Sequence, residues 1–184
     1  CGGDAIVDEC GECDGGGVSY ECCDGTLACD ESDCPDTGGI DIDAQVVLKI
    51  SSIIETDEGF DIQIDYISEQ EVGGFQFNFL SDGALNLTGA SGGASNIFDG
   101  ITVGNNVVLA FSFSGLSLPS SLEYSHLITL SATVNNGFEG SDVLLNAIED
   151  PPESRLILSD SVGGPLSSYF VPAIWTVGEE EFSL

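Results

Sequence analysis

Basic residues are almost missing from this chain. Lys49 and Arg155 stand against 32 acids in 184 residues, and the formal net charge is −30. A surface of that sign repels phosphate backbones and anionic lipid headgroups, which excludes nucleic acid and the membrane surface as partners. No run of about 18 apolar residues exists, so no helix spans a bilayer, and no basic segment followed by an apolar one opens the chain. Methionine is absent, at position 1 as elsewhere, and the chain is expected to be a processed product or an internal segment of a longer one. Amphipathic helical windows are also absent, which excludes a parallel α/β sheet. Beyond Cys34 there is no cysteine at all.

The seven cysteines are confined to the opening "CGGDAIVDECGECDGGGVSYECCDGTLACDESDCPD". That stretch carries acids and turn-forming residues but neither helical nor strand periodicity. So little apolar material holds a fold only with cross-links, and dense cysteines of this kind belong to oxidising compartments. Residues 1–43 therefore read as a stapled, loop-rich module of an extracellular or cell-surface protein, with Cys1, Cys10, Cys13, Cys22, Cys23, Cys29 and Cys34 as the disulfide candidates. Six of the seven can pair internally, in a connectivity the sequence does not fix. A zinc site built from Cys10, Cys13 and the later pairs is the alternative. It is disfavoured because no histidine lies nearby and the intervening acids add charge to an anionic thiolate site. The odd cysteine is assigned to Cys1, read either as the lipid-modified first residue of a bacterial lipoprotein or as a residue whose partner lies upstream or in a neighbouring subunit.

A charge of −30 opposes compaction unless cations neutralise it. In the same module Asp24, Asp30, Asp33, Asp36, Asp41 and Asp43 recur at short spacing on a Gly-rich backbone, which suits the oxygen ligands of calcium. No complete D-x-D-x-D-G-x5-E loop is present, so a solvated acidic linker is the competing reading.

From Ala44 the texture changes. Short β-branched and aromatic runs alternate with Gly, Asn, Ser and Pro: "FDIQIDYIS" places Phe60, Ile62, Ile64 and Tyr66 on one face, and "GGFQFNFL" does the same with Phe75, Phe77 and Phe79. Further runs reach to "SYFVPAIWTV". About nine strands at short spacing predict an all-β, jelly-roll-like antiparallel sandwich over residues 44–184. A hydrophobic content of 42% is enough to fill its core.

Groups that titrate or attack are few. His126, with Ser121 and Ser125 nearby, is the one candidate general base, but no G-x-S-x-G elbow accompanies it and a strand-edge side chain is the preferred reading. A glycosidase needs two isolated carboxyls, and nothing singles out a pair. No catalytic residue is assigned. Asn86-Leu87-Thr88 is the only N-x-S/T sequon, placed between strands, and Asn86 is the candidate glycan acceptor. Trp175 and Tyr169 offer a sugar platform, against which core packing is the commoner role of a lone Trp in a strand with Phe170, Val171 and Ile174.

The motif Gly74-Phe75-Gln76-Phe77, within "VGGFQFNFLSDGALNLTGASGG" and between "FDIQIDYIS" and "NNVVLAFSFSG", resembles a cohesin-type domain over roughly residues 44–177. The resemblance implies a nine-stranded jelly roll used as an extracellular docking module for dockerins. The opening "CGGDAIVDECGECDGGG" resembles Cys/Asp/Gly-rich repeats of large secreted bacterial proteins and, more loosely, thrombospondin type 3 calcium repeats. That implies a secreted, modular, cross-linked protein.

The leading expectation is a noncatalytic structural or adhesion protein, a subunit of a surface fibre that assembles head-to-tail with copies of itself. The donor strands would come from "GIDIDAQVVLKI" or the tail "TVGEEEFSL". The rival is a binding module, either a cohesin gripping a dockerin or a carbohydrate-binding domain.

Overall fold

The computed structural model describes residues 44–147, 156–179 and 182–184, together with the backbone of 20–21 and 27–28. The chain divides into two compact units, Cys1–Gly39 and Ile40–Leu184. In the first, β1 (Tyr20–Glu21) and β2 (Leu27–Ala28) pair antiparallel, Tyr20 opposite Ala28. The seven cysteines and the six candidate calcium ligands lie outside the described residues.

Among the described residues of the second unit, the regular elements are strands apart from one 3-10 turn at Gly93–Ile97. Its first sheet runs in the order β13 (Ser168–Val171), β3 (Val46–Thr56), β4 (Gly59–Ser68), β9 (Ser121–Val134), β6 (Leu85–Ser91). The second runs β12 (Pro165–Leu166), β11 (Ile157–Ser159), β5 (Gly74–Asn78), β8 (Val107–Phe111), β7 (Gly100–Gly104). A smaller sheet joins β10 (Asp142–Leu145), β14 (Ala173–Thr176) and β15 (Phe182–Ser183). The pairing is antiparallel except that β13 lies parallel to β3, Phe170 opposite Leu48. This is the all-β sandwich expected from the alternation.

The alternation sets the core. Ile62, Ile64 and Tyr66 of β4 and Phe75 and Phe77 of β5, with Phe79 just beyond it, are all buried, so the inner faces of both large sheets meet in one cluster. Phe77 of one layer packs on Phe170 of the other with ring centroids 6.4 Å apart. Trp175 has no exposed surface and meets the edge of the Phe60 ring at 5.0 Å. Its place in the core removes it from any sugar platform. Gly93, at φ 59°, lies where a Cβ would come within 2.5 Å of the Leu127 carbonyl oxygen, so the 3-10 turn can pass over β9 only without a side chain there.

The free edge of β6 is sealed by a side chain. Asn105 and Asn106 both have positive φ, 52° and 61°, and form the two-residue turn between β7 and β8, a left-handed geometry that asparagine accepts better than most residues. The Asn106 carboxamide then crosses to the other sheet: its oxygen accepts from the Leu87 amide at 2.8 Å and its nitrogen donates to the Leu85 carbonyl at 3.1 Å. One side chain stands in for a missing strand. Asn106→Ala loses both bonds and places a Cβ-bearing residue without the asparagine carboxamide in the left-handed region. A loss of about 2 kcal/mol is expected in urea unfolding.

Candidate functional site

The outer faces of the two large sheets differ in chemistry. On the β13–β6 sheet the polar outward residues are tied to one another: Ser51 donates to Asp65 at 2.8 Å and Ser131 to Asp61 at 2.8 Å. Lys49 of β3 lies 4.0 Å over the Tyr124 ring. The polar side chains of this face pair among themselves, beside the exposed Ile54 and Leu122.

The β12–β7 sheet carries apolar side chains on its outer face as well as its inner one. Its register aligns Ile157, Gln76, Leu109 and Thr102 in one row across β11, β5, β8 and β7, and Ser159, Gly74, Phe111 and Gly100 in the next. Val108 and Ala110 of β8 point into the core while Leu109 and Phe111 remain half-exposed outside, and Ile157 is exposed. Gly100 makes room for the Phe111 ring, since a Cβ there would stand 2.6 Å from Cζ. Phe113, 87% exposed, sets its ring edge-on against Phe111 at 4.8 Å. Leu116, in the same loop, is also exposed.

An aromatic side chain that open to water needs a fixed backbone to present it, and Asp99 supplies the fixing. One carboxylate oxygen accepts from the Phe113 amide at 2.7 Å, the Ser114 amide at 2.8 Å, and the Ser114 and Ser112 hydroxyls at 2.8 and 3.0 Å. The Ser114 backbone bond, followed by the Ser114 and Ser112 hydroxyls, lowers the Asp99 pKa from 3.8 to about 2. Because the folded pKa lies below the unfolded one, this hold is in place above the unfolded value and is lost as pH falls through about 2. The Ser114 amide resonance should therefore titrate with a midpoint near 2 in proton–nitrogen NMR. In Asp99→Ala that titration should vanish and the 112–116 loop resonances should broaden or sharpen as a group.

At the same end of the sheet the next row is acidic. Asp160 follows Ser159 and caps its own turn through the Val162 and Gly164 amides, at 2.9 and 2.7 Å. Glu71 accepts from Ser117 at 2.9 Å. Glu69, Glu71 and Asp160 line one cleft of about 380 Å³.

The other candidates fall elsewhere. The His126 ring nitrogen bonds Thr129 at 3.0 Å, whereas the Ser121 hydroxyl turns to the Glu123 carbonyl and to Ser125, so no nucleophile–base pair forms. The sequon lies within β6 instead of between strands, with Asn86 and Thr88 both exposed on the sealed edge. Tyr169 is half-buried in β13 opposite Val47. Among the described residues no group of three or more His, Cys, Asp or Glu is arranged to hold a metal ion, and no helix is long and apolar enough to cross a membrane.

No family model matches the sequence, and comparison with curated proteins finds no relative. Solved structures do match. The CaCohA2 chain of the CaDoc0917–CaCohA2 complex aligns with TM-score 0.53 and 14% identity, over 72% of this chain and 99% of that one. A non-cellulosomal cohesin from the archaeon Archaeoglobus fulgidus aligns with TM-score 0.52 and 11% identity, over 74% and 93%. The sandwich has a cohesin-type fold. The sixth cohesin of scaffoldin B from Acetivibrio cellulolyticus, solved in complex with the Cel5 dockerin, aligns with TM-score 0.50 and 12% identity, over 73% and 98%. At these identities the likeness is one of backbone, and the side chains on the sheet faces are this chain's own.

Sequence reasoning missed Asp99, Leu109, Phe111, Phe113 and Ile157. The available signal was "VVLAF": five apolar residues in a row where neighbouring strands alternate imply a strand that is apolar on both faces.

Proposed function

We propose that this chain carries a noncatalytic, extracellular protein-binding module of the cohesin type, and that its grip is the outer face of the β12–β7 sheet. The observation that supports this is Phe113, almost fully exposed on a loop that Asp99 holds rigid above an apolar sheet. Pre-ordered aromatic anchors on an open apolar patch are the usual material of protein interfaces. A dockerin on another chain is the first partner to try.

The fibre reading has less support. The strand "VVLKI" at the start of β3 is already paired on both sides, with β13 and β4, and Phe182 of the tail pairs with Trp175 of β14. The described strand residues of both segments are therefore already paired within the sandwich. A sugar-binding reading loses its Trp to the core.

Titration of the chain against a panel of dockerins by calorimetry, beside a glycan array, tests the proposal. Saturable binding of a dockerin that Phe113→Ala weakens supports it, whereas binding of a glycan alone overturns it. For the N-terminal module we propose disulfides among its seven cysteines and calcium at its aspartates, and we propose a glycan at Asn86. Intact mass before and after reduction, chelation and deglycosylation reads all three.

A further inference from the structure

We propose that the groove over Gly74 is the anchor socket of the binding face, and that it takes one aliphatic side chain from a protein partner whose surface beside that anchor is basic. The inference rests on the binding-module reading and adds the chemistry of what is bound.

The groove measures about 200 Å³ and is bounded by Ile157, Leu109 and Phe111 around Gly74 and Gln76. Small-molecule sites usually need roughly 300–1,000 Å³, so this one is too small for a cofactor or an oligosaccharide and of the size that one buried side chain fills. Its depth comes from a missing side chain. Gly74 lies in the outward row between Ser159 and Phe111, and any Cβ there would enter the groove, 3.7 Å from the Ser159 hydroxyl. The walls are largely apolar, with Gln76 and Ser159 the polar residues among them, and no charged group lines the groove. An aliphatic occupant matches the Ile157, Leu109 and Phe111 walls, whereas a charged one would find no group of opposite sign among the lining residues.

Charge selects the rest of the partner. The row beyond the socket holds Asp160 on the β11 side and Asp99 on the β7 side, three strand spacings or roughly 14 Å apart. Asp160, next to Ser159 of the socket, also lines a cleft with Glu69 and Glu71. The sandwich has only Lys49 to set against these acids among the described residues, and Lys49 belongs to the opposite sheet, over Tyr124. A partner surface of lysines and arginines would be drawn to this end by the long-range field and held there by short-range pairing, whereas an acidic or neutral one would be repelled or indifferent.

The test is a phage-displayed library of random peptides selected on the full chain. The expected binders share one Leu, Ile, Val or Met close to Lys or Arg. They bind Ile157→Asp and Gly74→Ala about tenfold or more weakly, and they weaken as salt is raised. Ile157 is 48% exposed, so its variant keeps the fold and serves as the control if the methyl of Gly74→Ala, 3.1 Å from the Ala110 carbonyl oxygen, disturbs the sheet. Binders that respond to Phe113→Asp but to neither socket variant overturn the socket and leave the face standing. Binders indifferent to all three variants overturn both. A library that yields no binder, or one with an acidic consensus, overturns the proposed partner chemistry.

Discussion

Changing Phe113 to aspartate is expected to leave the sandwich folded and to weaken binding of a dockerin, or of the selected peptides, about a hundredfold. The two halves of that expectation come from one number. At 87% exposure the ring contributes little to folding beyond its edge contact with Phe111, so the unfolding free energy should move by less than about 1 kcal/mol. In a complex the same ring would be stripped of water, and an aspartate there would give up its hydration and the ring's contact area, a larger loss than any added attraction for a basic partner. Calorimetric titration gives the affinity and urea unfolding gives the control. A variant that binds as tightly as the parent would remove Phe113 from the interface.

Trp175→Ala is the counterpart inside the core, where loss of stability comes first. The side chain has no exposed surface, meets Phe60 at 5.0 Å, and donates from Nε1 to the Glu179 carbonyl at 2.6 Å. Truncation opens a cavity under the β10–β14–β15 sheet and leaves that carbonyl without its donor. The expected cost is about 3–5 kcal/mol, a large share of the roughly 5–15 kcal/mol that holds such a domain together. Because Trp175 is the only tryptophan, unfolding of the variant has to be followed by far-ultraviolet circular dichroism. Trp175→Phe refills most of the volume and should recover more than half of the loss, which separates packing from the hydrogen bond.

The fold was legible because a sandwich strand writes its burial in period two. Ile62, Ile64 and Tyr66 alternate with Asp61, Gln63 and Asp65, and the structure places the first set inside and the second on the polar outer face. The binding face was not legible by the same rule. In β8 the inward residues, Val108 and Ala110, are no more apolar than the outward ones, Leu109 and Phe111, and alternation is silent when both sets look alike. Asp99 was invisible for a different reason. Its partners are thirteen to fifteen residues away and come within reach only when the β7–β8 hairpin folds back, so no local pattern announces them. Asn106 hides in the same way, since its partners Leu85 and Leu87 belong to the opposite sheet.

The Asn105–Asn106 turn has the look of an exposed hairpin tip, the kind of place where chains usually tolerate extra residues. Here an inserted residue would carry the carboxamide away from β6 and open a sheet edge, so length changes at this end are penalised. At the opposite end the 160–164 turn closes on its own Asp160 and is free of that constraint, whereas the 112–114 stretch is held by Asp99, just ahead of β7. Divergence among proteins built on this plan should accumulate where the contact residues are, letting one scaffold change its partner while its far end stays fixed.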